Sequence, residues 1–576
     1  EPLWGRFYET YGEDTYLTTQ LGIALVDGYQ NGMIGDTLSR WDAVAACGKH
    51  YLGYSGSLMG KDRTTAYIPE RVLREIYVPP FQAAIDAGVR TIMVNPADIN
   101  GEPVHASRRL LADLLRDELG FQGVVVTDWE DVIKLHTVHR VARDERDATR
   151  MAVDAGIDLS MTPLRLSFYD HLLDLVRLGE IAEERIDQSV RRLLRLKFEL
   201  GLFENPYPPS VDAVDVIRTD EAQQANLDAA RQSVVLLQND GLLPLNSSQR
   251  ILVTGPTADS FVPLNGGWTY TWQGTDEKYA DFYPDLPTLL GAIQQQAGNV
   301  SYVPGTTLDA VVDLDAVAQA AEQSDVIVVA LGEGAYAEKP GDIPDLELGD
   351  AQQRLLSTAL ATGKPVVVIL IQGRPRIADR LSQASAALTA LLPGNQGGRA
   401  LGDVLFGAVN PSGRLPFSYP RTTGTQLPYD HTASSMRGAQ WAGDDRVGGY
   451  DPLFPFGHGL SYTSFAYTGL KLSREAARSG DTIQASVVVR NSGNRAGDHA
   501  VLLYTRDLYA TIVPAARKLR GFERVSLAPG EQITVTFDIA VDDLAFIGLD
   551  GTRMLEAGTI EVQVGSESAR FEIVEQ

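Results

Sequence analysis

Three short stretches limit what this chain can fold into: Val124-Val125-Val126, Val326-Ile327-Val328-Val329 and Val366-Val367-Val368-Ile369. A half-exposed strand alternates apolar and polar residues. These do not alternate, so both of their faces must be covered, which is the condition of a parallel sheet flanked by helices. Thr91-Ile92-Met93-Val94 and Ile251-Leu252-Val253 read the same way, and amphipathic stretches such as Leu110 to Leu119 and Glu184 to Phe198 supply helices. Residues 1–205 therefore predict βα units in series, the pattern of a (β/α) barrel. Asn205-Pro206-Tyr207-Pro208-Pro209 interrupts that series, and residues 206–230 read as a linker. A second α/β region follows over 231–460, with the Gly-, Asp-, Pro- and Tyr-rich part from 420 to 458 expected as loop. From 465 to 576 the period changes to two. Thr482 to Val489, Ile533 to Phe537 and Thr559 to Val564 alternate between turns such as Asn491-Ser492-Gly493-Asn494, which predicts a β-sandwich.

The length of 576 residues fits three or four domains. A net charge of −25 argues against nucleic acid or an anionic membrane surface as partner, since a polyanion would be repelled. It suits a neutral substrate, or serves solubility alone. No run approaches the ~18 apolar residues of a membrane span. The single cysteine, Cys47, excludes an intramolecular disulfide and is expected to be buried and inert. No metal-ligand cluster or nucleotide-binding loop stands out, so no cofactor is expected. The chain opens on Glu1-Pro2-Leu3-Trp4, and a signal peptide would lie outside it.

Several residues are candidates for chemistry. Asp128 ends the apolar run of VVVTDWED and is followed by Trp129. At the C-terminal end of a barrel strand such an acid can attack an anomeric carbon while the indole stacks on a sugar, or it can merely cap the next helix. Lys49-His50, in GKHY, can donate hydrogen bonds to hydroxyls or form a solvated pair, and Arg6, in WGR, can bind hydroxyls or pair with a carboxylate. The acidic loop from Gly332 to Asp342 follows a buried strand and holds Glu333 and Glu338; it is a carrier of a second carboxyl or a surface loop. Trp268, Tyr270 and Trp272 crowd the loop GGWTYTWQG, as a stacking surface or as core.

In order along the chain, LWGRFYETYGED, ACGKHYLGY, NGEPVHAS, LLRDELGFQGVVVTDWED, AGIDLSM, GGWTYTWQG, LPGNQGG, VLFGAVNPSGRLPFSYP, FPFGHGLSYT and LRGFERVSLAPGE resemble segments of glycoside hydrolase family 3 over almost the whole sequence. The resemblance implies a TIM-like barrel, an (α/β)6 sandwich and a C-terminal fibronectin type III-like domain. It implies a retaining, exo-acting β-glucosidase of β-glucosides or β-glucan oligosaccharides. Asp128 matches the nucleophile and Glu338, in YAEKPGD, the acid/base lent by the second domain, with Glu333 as near competitor. Arg6, Lys49, His50, Trp129 and Trp272 match substrate-binding positions. One branch of the family uses a His in a KHFPGHG…DSH loop as acid/base. Here Lys49-His50 is followed by Tyr51-Leu52-Gly53-Tyr54, which favours the glutamate mechanism. Family barrels begin well before WGR, so a barrel incomplete at its N-terminus is expected, and Pro96 stands where many relatives carry Tyr. The alternatives are a non-catalytic carbohydrate-binding fragment and a β-xylosidase on the same scaffold. The expected location is periplasmic or extracellular, and a homodimer is compatible with the reading.

Overall fold

The structure is a computed structural model that describes residues 1–30, 43–207, 217–432 and 450–574. It divides into two compact units.

The first unit is Thr15–Ile217 with Glu1 and Ile547–Thr552. Its parallel sheet runs Cys47–Tyr51, Thr91–Val94, Val124–Val126, in sequence order, and a bridge from Val126 to Leu159 extends it. Helices follow the strands at Val78–Asp86, Arg109–Glu118 and Asp131–Thr137, and one core gathers Ile92, Val94, Val125, Leu111, Leu115 and Leu135. Adjacent βα units in sequence order form a wall of a (β/α) barrel, as expected. Cys47 is exposed rather than buried; it opens its strand, which among the described residues pairs on one side only, with Thr91 opposite Cys47.

The second unit is Pro2–Asp14, Arg218–Phe546 and Arg553–Gln576. Its six-stranded sheet has the order Val235–Asn239, Ala386–Leu391, Val366–Ile371, Val326–Gly332, Ile251–Thr254, Val300–Tyr302, and only the first strand is antiparallel to its neighbour. Alternate residues of the apolar runs face opposite layers. Val326, Val328 and Ala330 join Leu289, Ile293, Leu401 and Val404 on one side, whereas Ile327, Val329 and Leu331 join Val317, Leu355 and Ala359 on the other. This division explains why the runs contain no polar residue. From Phe465 onward, a three-stranded and a five-stranded sheet share one core, into which Ile483, Ala485, Val487 and Val489 project from one face of their strand.

Two boundaries differ from expectation. The stretch expected as linker contains a helix, Asp220–Ser233, capped by Thr219 through the amide of Ala222. Its apolar face is narrow, with Leu227 and Ala230 packed on Ala400, so its period is faint in the sequence. Pro208 and Pro209, and residues 433–449 of the expected loop, lie outside the described residues.

The other difference is that Pro2–Asp14 packs with the second unit rather than with the barrel strands. The seat is specific. At Gly12 (φ 118°) a Cβ would meet the Pro416 carbonyl oxygen at 2.2 Å. Glu13 Oε1 accepts from Ser418 Oγ (2.7 Å) and the Tyr429 amide (3.0 Å), and Tyr429 donates its hydroxyl to Asp14 (2.6 Å). Burial pushes the Glu13 carboxyl up to about 7 and nearby Asp430 adds to the rise, while the bonds from Ser418 and Tyr429 oppose it. A carboxyl raised in the folded state stabilises fully below its ordinary value of 4.5, and that contribution is lost as pH rises to about 7. Between pH ~5 and ~8 the wild type is therefore expected to lose about 3 kcal/mol that Glu13→Gln does not lose. Thermal melts at the two pH values check this, and parallel shifts of the two proteins would refute it.

Candidate active site

In the first unit, the geometry around Asp128 starts from Asp158 of AGIDLSM, whose side chain is fully buried. It accepts from the Val125 amide (3.0 Å), Arg116 Nη2 (2.7 Å), Arg192 Nη1 (2.8 Å) and Ser189 Oγ (2.6 Å), so four groups pin the strand one residue pair before the acid. Thr127 then bonds on both sides, its amide to the Leu159 carbonyl (3.0 Å) and its hydroxyl from the Met161 amide (2.8 Å). Glu130 turns the chain through a left-handed conformation, φ 58°.

Asp128 sits at this strand end, 7% exposed. Its Oδ2 lies 3.4 Å from His50 Nε2 and its Oδ1 lies 3.3 Å from Arg63 Nη2, while the Trp129 amide donates to Oδ1 at 2.5 Å. The helix starting at Asp131 has no side-chain cap, so the carboxylate is directed at Arg63 and His50 rather than used as a cap. Arg63 also donates to Asp131 Oδ1 (2.9 Å), and Lys134 donates to the same oxygen (2.6 Å). Burial raises the Asp131 carboxyl to about 6 against the pull of Arg63 and Lys134. Asp128 donates its amide to His105 Nε2 at 3.4 Å. That nitrogen is therefore the unprotonated one, and burial, which lowers His105 to about 3, keeps the ring neutral. The structure separates the Lys49-His50 pair: His50 faces Asp128, whereas Lys49 is exposed. Trp129 is 50% exposed, which makes it a surface for stacking rather than core.

In the second unit, the strand Val326–Gly332 delivers the acidic loop from its C-terminal end, where open α/β sheets present ligand groups. Glu333 is buried in a network. It accepts from the Tyr336 hydroxyl (2.9 Å), the Gly373 amide (3.1 Å) and Arg376 Nη1 (2.8 Å), and lies 3.3 Å from Arg374 Nε. Glu338 differs. Its carboxylate takes one bond from Arg6 Nη1 (3.1 Å) and one from the Trp272 indole (3.1 Å), and its side chain is 18% exposed. Arg6 is shared, since its Nε and Nη2 also grip Glu9 at 2.9 and 2.7 Å, and Glu9 accepts from the Trp268 indole (3.1 Å). The alternative reading of Arg6 as a carboxylate partner is thus realised, with Glu338 as one of the carboxylates.

Two sequence segments meet on this loop. Gly5 of WGR is required because a Cβ there would meet the Glu338 carbonyl oxygen at 2.0 Å. Tyr8 donates its hydroxyl to the Tyr336 carbonyl (3.0 Å). From GGWTYTWQG, Gln273 exchanges two bonds with Ala337 (3.1 and 3.0 Å). Trp268 (47%) and Trp272 (52%) are half exposed, so neither is core. Among the described residues no group of three or more His, Cys, Asp or Glu is arranged to hold a metal ion. Sequence reasoning assigned no role to Arg63, His105, Asp158 or Glu9. Glu9, His105 and Asp158 lie inside motifs quoted above and Arg63 lies outside them, but Trp268, Asp128, Val125 and Asp131, which they meet in the fold, are distant along the chain.

The model of the glycosyl hydrolase family 3 N terminal domain matches residues 1–196, that of the family's C-terminal domain matches 234–462, and that of a fibronectin type III-like domain matches 499–568. A lysosomal beta glucosidase of Dictyostelium discoideum is 42% identical over 98% of this chain and 71% of its own length. The chain belongs to glycosyl hydrolase family 3. A beta-xylosidase of Formosa agariphila is 35% identical over 98% of this chain and 79% of its own. Among solved structures, a mutant beta-glucosidase from Listeria innocua in complex with laminaribiose superposes with a TM-score of 0.92 at 31% identity, over 100% of this chain and 80% of that one. No helix among the described residues is long and apolar enough to cross a membrane.

For this family 3 chain, the two glutamates of the acidic loop should separate by experiment. Glu333→Gln removes the charge between buried Arg374 and half-buried Arg376 and is expected to cost about 3–5 kcal/mol in urea unfolding. Glu338→Gln, partly exposed, is expected to cost within about 1 kcal/mol. Equal losses would contradict this division of roles.

Proposed function

We propose that the protein is a retaining, exo-acting β-glucosidase in which Asp128 is the nucleophile and Glu338 the acid/base. The observation that carries the reading is Asp128 at the end of a buried parallel strand, with His50 Nε2 at 3.4 Å and Arg63 at 3.3 Å from its two oxygens. Relatives named as β-glucosidases support the substrate class, and laminaribiose in the Listeria innocua complex suggests β-glucan oligosaccharides for this chain too.

In the first step an Asp128 oxygen attacks the anomeric carbon. The bond to the aglycone oxygen breaks, and protonated Glu338 gives that oxygen its proton, so the aglycone leaves as an alcohol. In the second step Glu338 takes a proton from water, the water oxygen attacks the same carbon, and the ester to Asp128 breaks. Two inversions give net retention. Arg6, Lys49 and His50 supply N–H donors for sugar hydroxyls, and Trp129 and Trp272 supply indole faces for the next ring.

The Formosa agariphila relative named as a beta-xylosidase gives a second reading on the same machinery. Aryl β-glucoside, β-xyloside and N-acetylglucosaminide offered side by side decide between them, with the glucoside expected to have the highest kcat/KM. Asp128→Asn is expected to lower turnover by at least about 10³-fold, as removal of a nucleophile does elsewhere. Turnover near wild type in Asp128→Asn would remove Asp128 from the mechanism. Oligosaccharide binding without any reducing-sugar release would instead favour a non-catalytic carbohydrate-binding protein.

A further inference from the structure

Arg374 follows the strand Val366–Ile371 in the stretch Gln372-Gly373-Arg374-Pro375, and its side chain has no solvent exposure. One guanidinium joins several segments. Nη1 donates to the carbonyls of Pro2 (3.3 Å) and Leu3 (3.1 Å), and Nη2 donates to the Gly341 carbonyl (2.5 Å). Nε donates to the Tyr336 hydroxyl (2.9 Å) and lies 3.3 Å from Glu333 Oε1. The guanidinium carbon stands 4.5 Å from the centroid of the Tyr336 ring. Tyr336 stays protonated, because burial raises its phenol well above the ordinary 10, and so it can pass a hydrogen bond on to Glu333.

These anchors flank one pair of groups. Leu3 lies just ahead of Arg6, the residue that donates to Glu338. Gly341 closes the turn after Glu338, its amide donating to the Glu338 carbonyl at 2.8 Å. Tyr336 lies just before Glu338 in the same loop. Glu338 itself has φ 56° and ψ −144°, a region nearly confined to glycine, which persists only where the surroundings over-determine it. A planar fork with five N–H groups can fix both sides of such a turn, whereas an ammonium with three freely rotating donors cannot.

We infer that Arg374 is a positioning residue for proton transfer: it ties the segment that carries Arg6 to the turn that carries Glu338 and so aims the Glu338 carboxyl at the glycosidic oxygen. This rests on the reading of Glu338 as acid/base. Arg374 touches neither Glu338 nor substrate in this role. It acts through Leu3, Tyr336 and Gly341.

The test uses the full chain and a series of aryl β-glucosides graded by leaving-group acidity, with kcat/KM reporting the first chemical step. Loss of proton donation hurts poor leaving groups most. Arg374→Lys is expected to stay within about two-fold of wild type on a dinitrophenyl glucoside and to fall about ten-fold or more on a phenyl glucoside, part of the ~10²–10⁴ that general acid catalysis contributes. The alkaline limb of its pH profile should move as well. Tyr336→Phe keeps the ring and removes only the hydroxyl that Arg374 reaches. It is expected to change in the same direction by a smaller factor, and it serves if the lysine variant does not fold. Glu338→Gln is the reference. If its loss is equal across the series, the reading of Glu338 fails and the inference with it. If Glu338→Gln depends on the leaving group while Arg374→Lys and Tyr336→Phe fall uniformly or not at all, the inference alone is overturned.

Discussion

A glutamate held in a backbone conformation that suits glycine is the constraint around which much of the second unit is built. Glu338 at φ 56° and ψ −144° cannot be maintained by its own loop. Its neighbours supply what the loop lacks. Gly5 lets backbone approach where any side chain would clash, and Gly267 does the same against the Tyr336 carbonyl, where a Cβ would fall at 2.1 Å. Tyr8, Gln273 and Arg374 fasten the residues on either side. The N-terminal WGR segment, which the sequence places in front of the barrel, packs with this unit because that turn needs it.

Asp128 obtains the same rigidity by different means. Its strand has ordinary geometry, and the order comes from Asp158, which collects two arginines, a serine and a strand amide. A buried carboxylate with that many donors is held in one place, and it sets the strand in register with the bridge at Leu159. Neutral His105 then takes the Asp128 amide, which leaves the carboxylate to His50 and Arg63.

How much of this was legible in the sequence depended on how local the cause was. The strand runs were readable because covering two faces requires an apolar residue at every position, as Val326 to Leu331 illustrate by alternating between two cores. The placement of Asp128 was readable because the end of such a strand is a defined place. The helix Asp220–Ser233 was not, since two buried residues do not make a period. Arg63, Glu9 and Arg374 were not readable either. Arg374 lies 371 residues from Leu3, and Arg6 lies 332 from Glu338, so no spacing rule connects them. A polar residue in a loop acquires its meaning from partners that only the fold brings near.

The two candidate catalytic carboxylates share one electrostatic device. Arg63 is divided between Asp128 and Asp131, and Arg6 is divided between Glu338 and Glu9. On the proposed mechanism each reacting carboxylate changes charge during the cycle: Asp128 becomes a neutral ester, and Glu338 alternates between acid and carboxylate. An arginine paired only with the reacting group would be stranded at that moment, and an uncompensated buried charge costs about 3–5 kcal/mol. The second carboxylate removes that cost. When Asp128 is esterified, Arg63 keeps Asp131, and when Glu338 is protonated, Arg6 keeps its two bonds to Glu9. The geometry at Arg6 is graded to suit: two short bonds go to the carboxylate that does not react and one longer bond, at 3.1 Å, to the one that does. The non-reacting acids thus give each arginine a second partner while the charge beside it comes and goes.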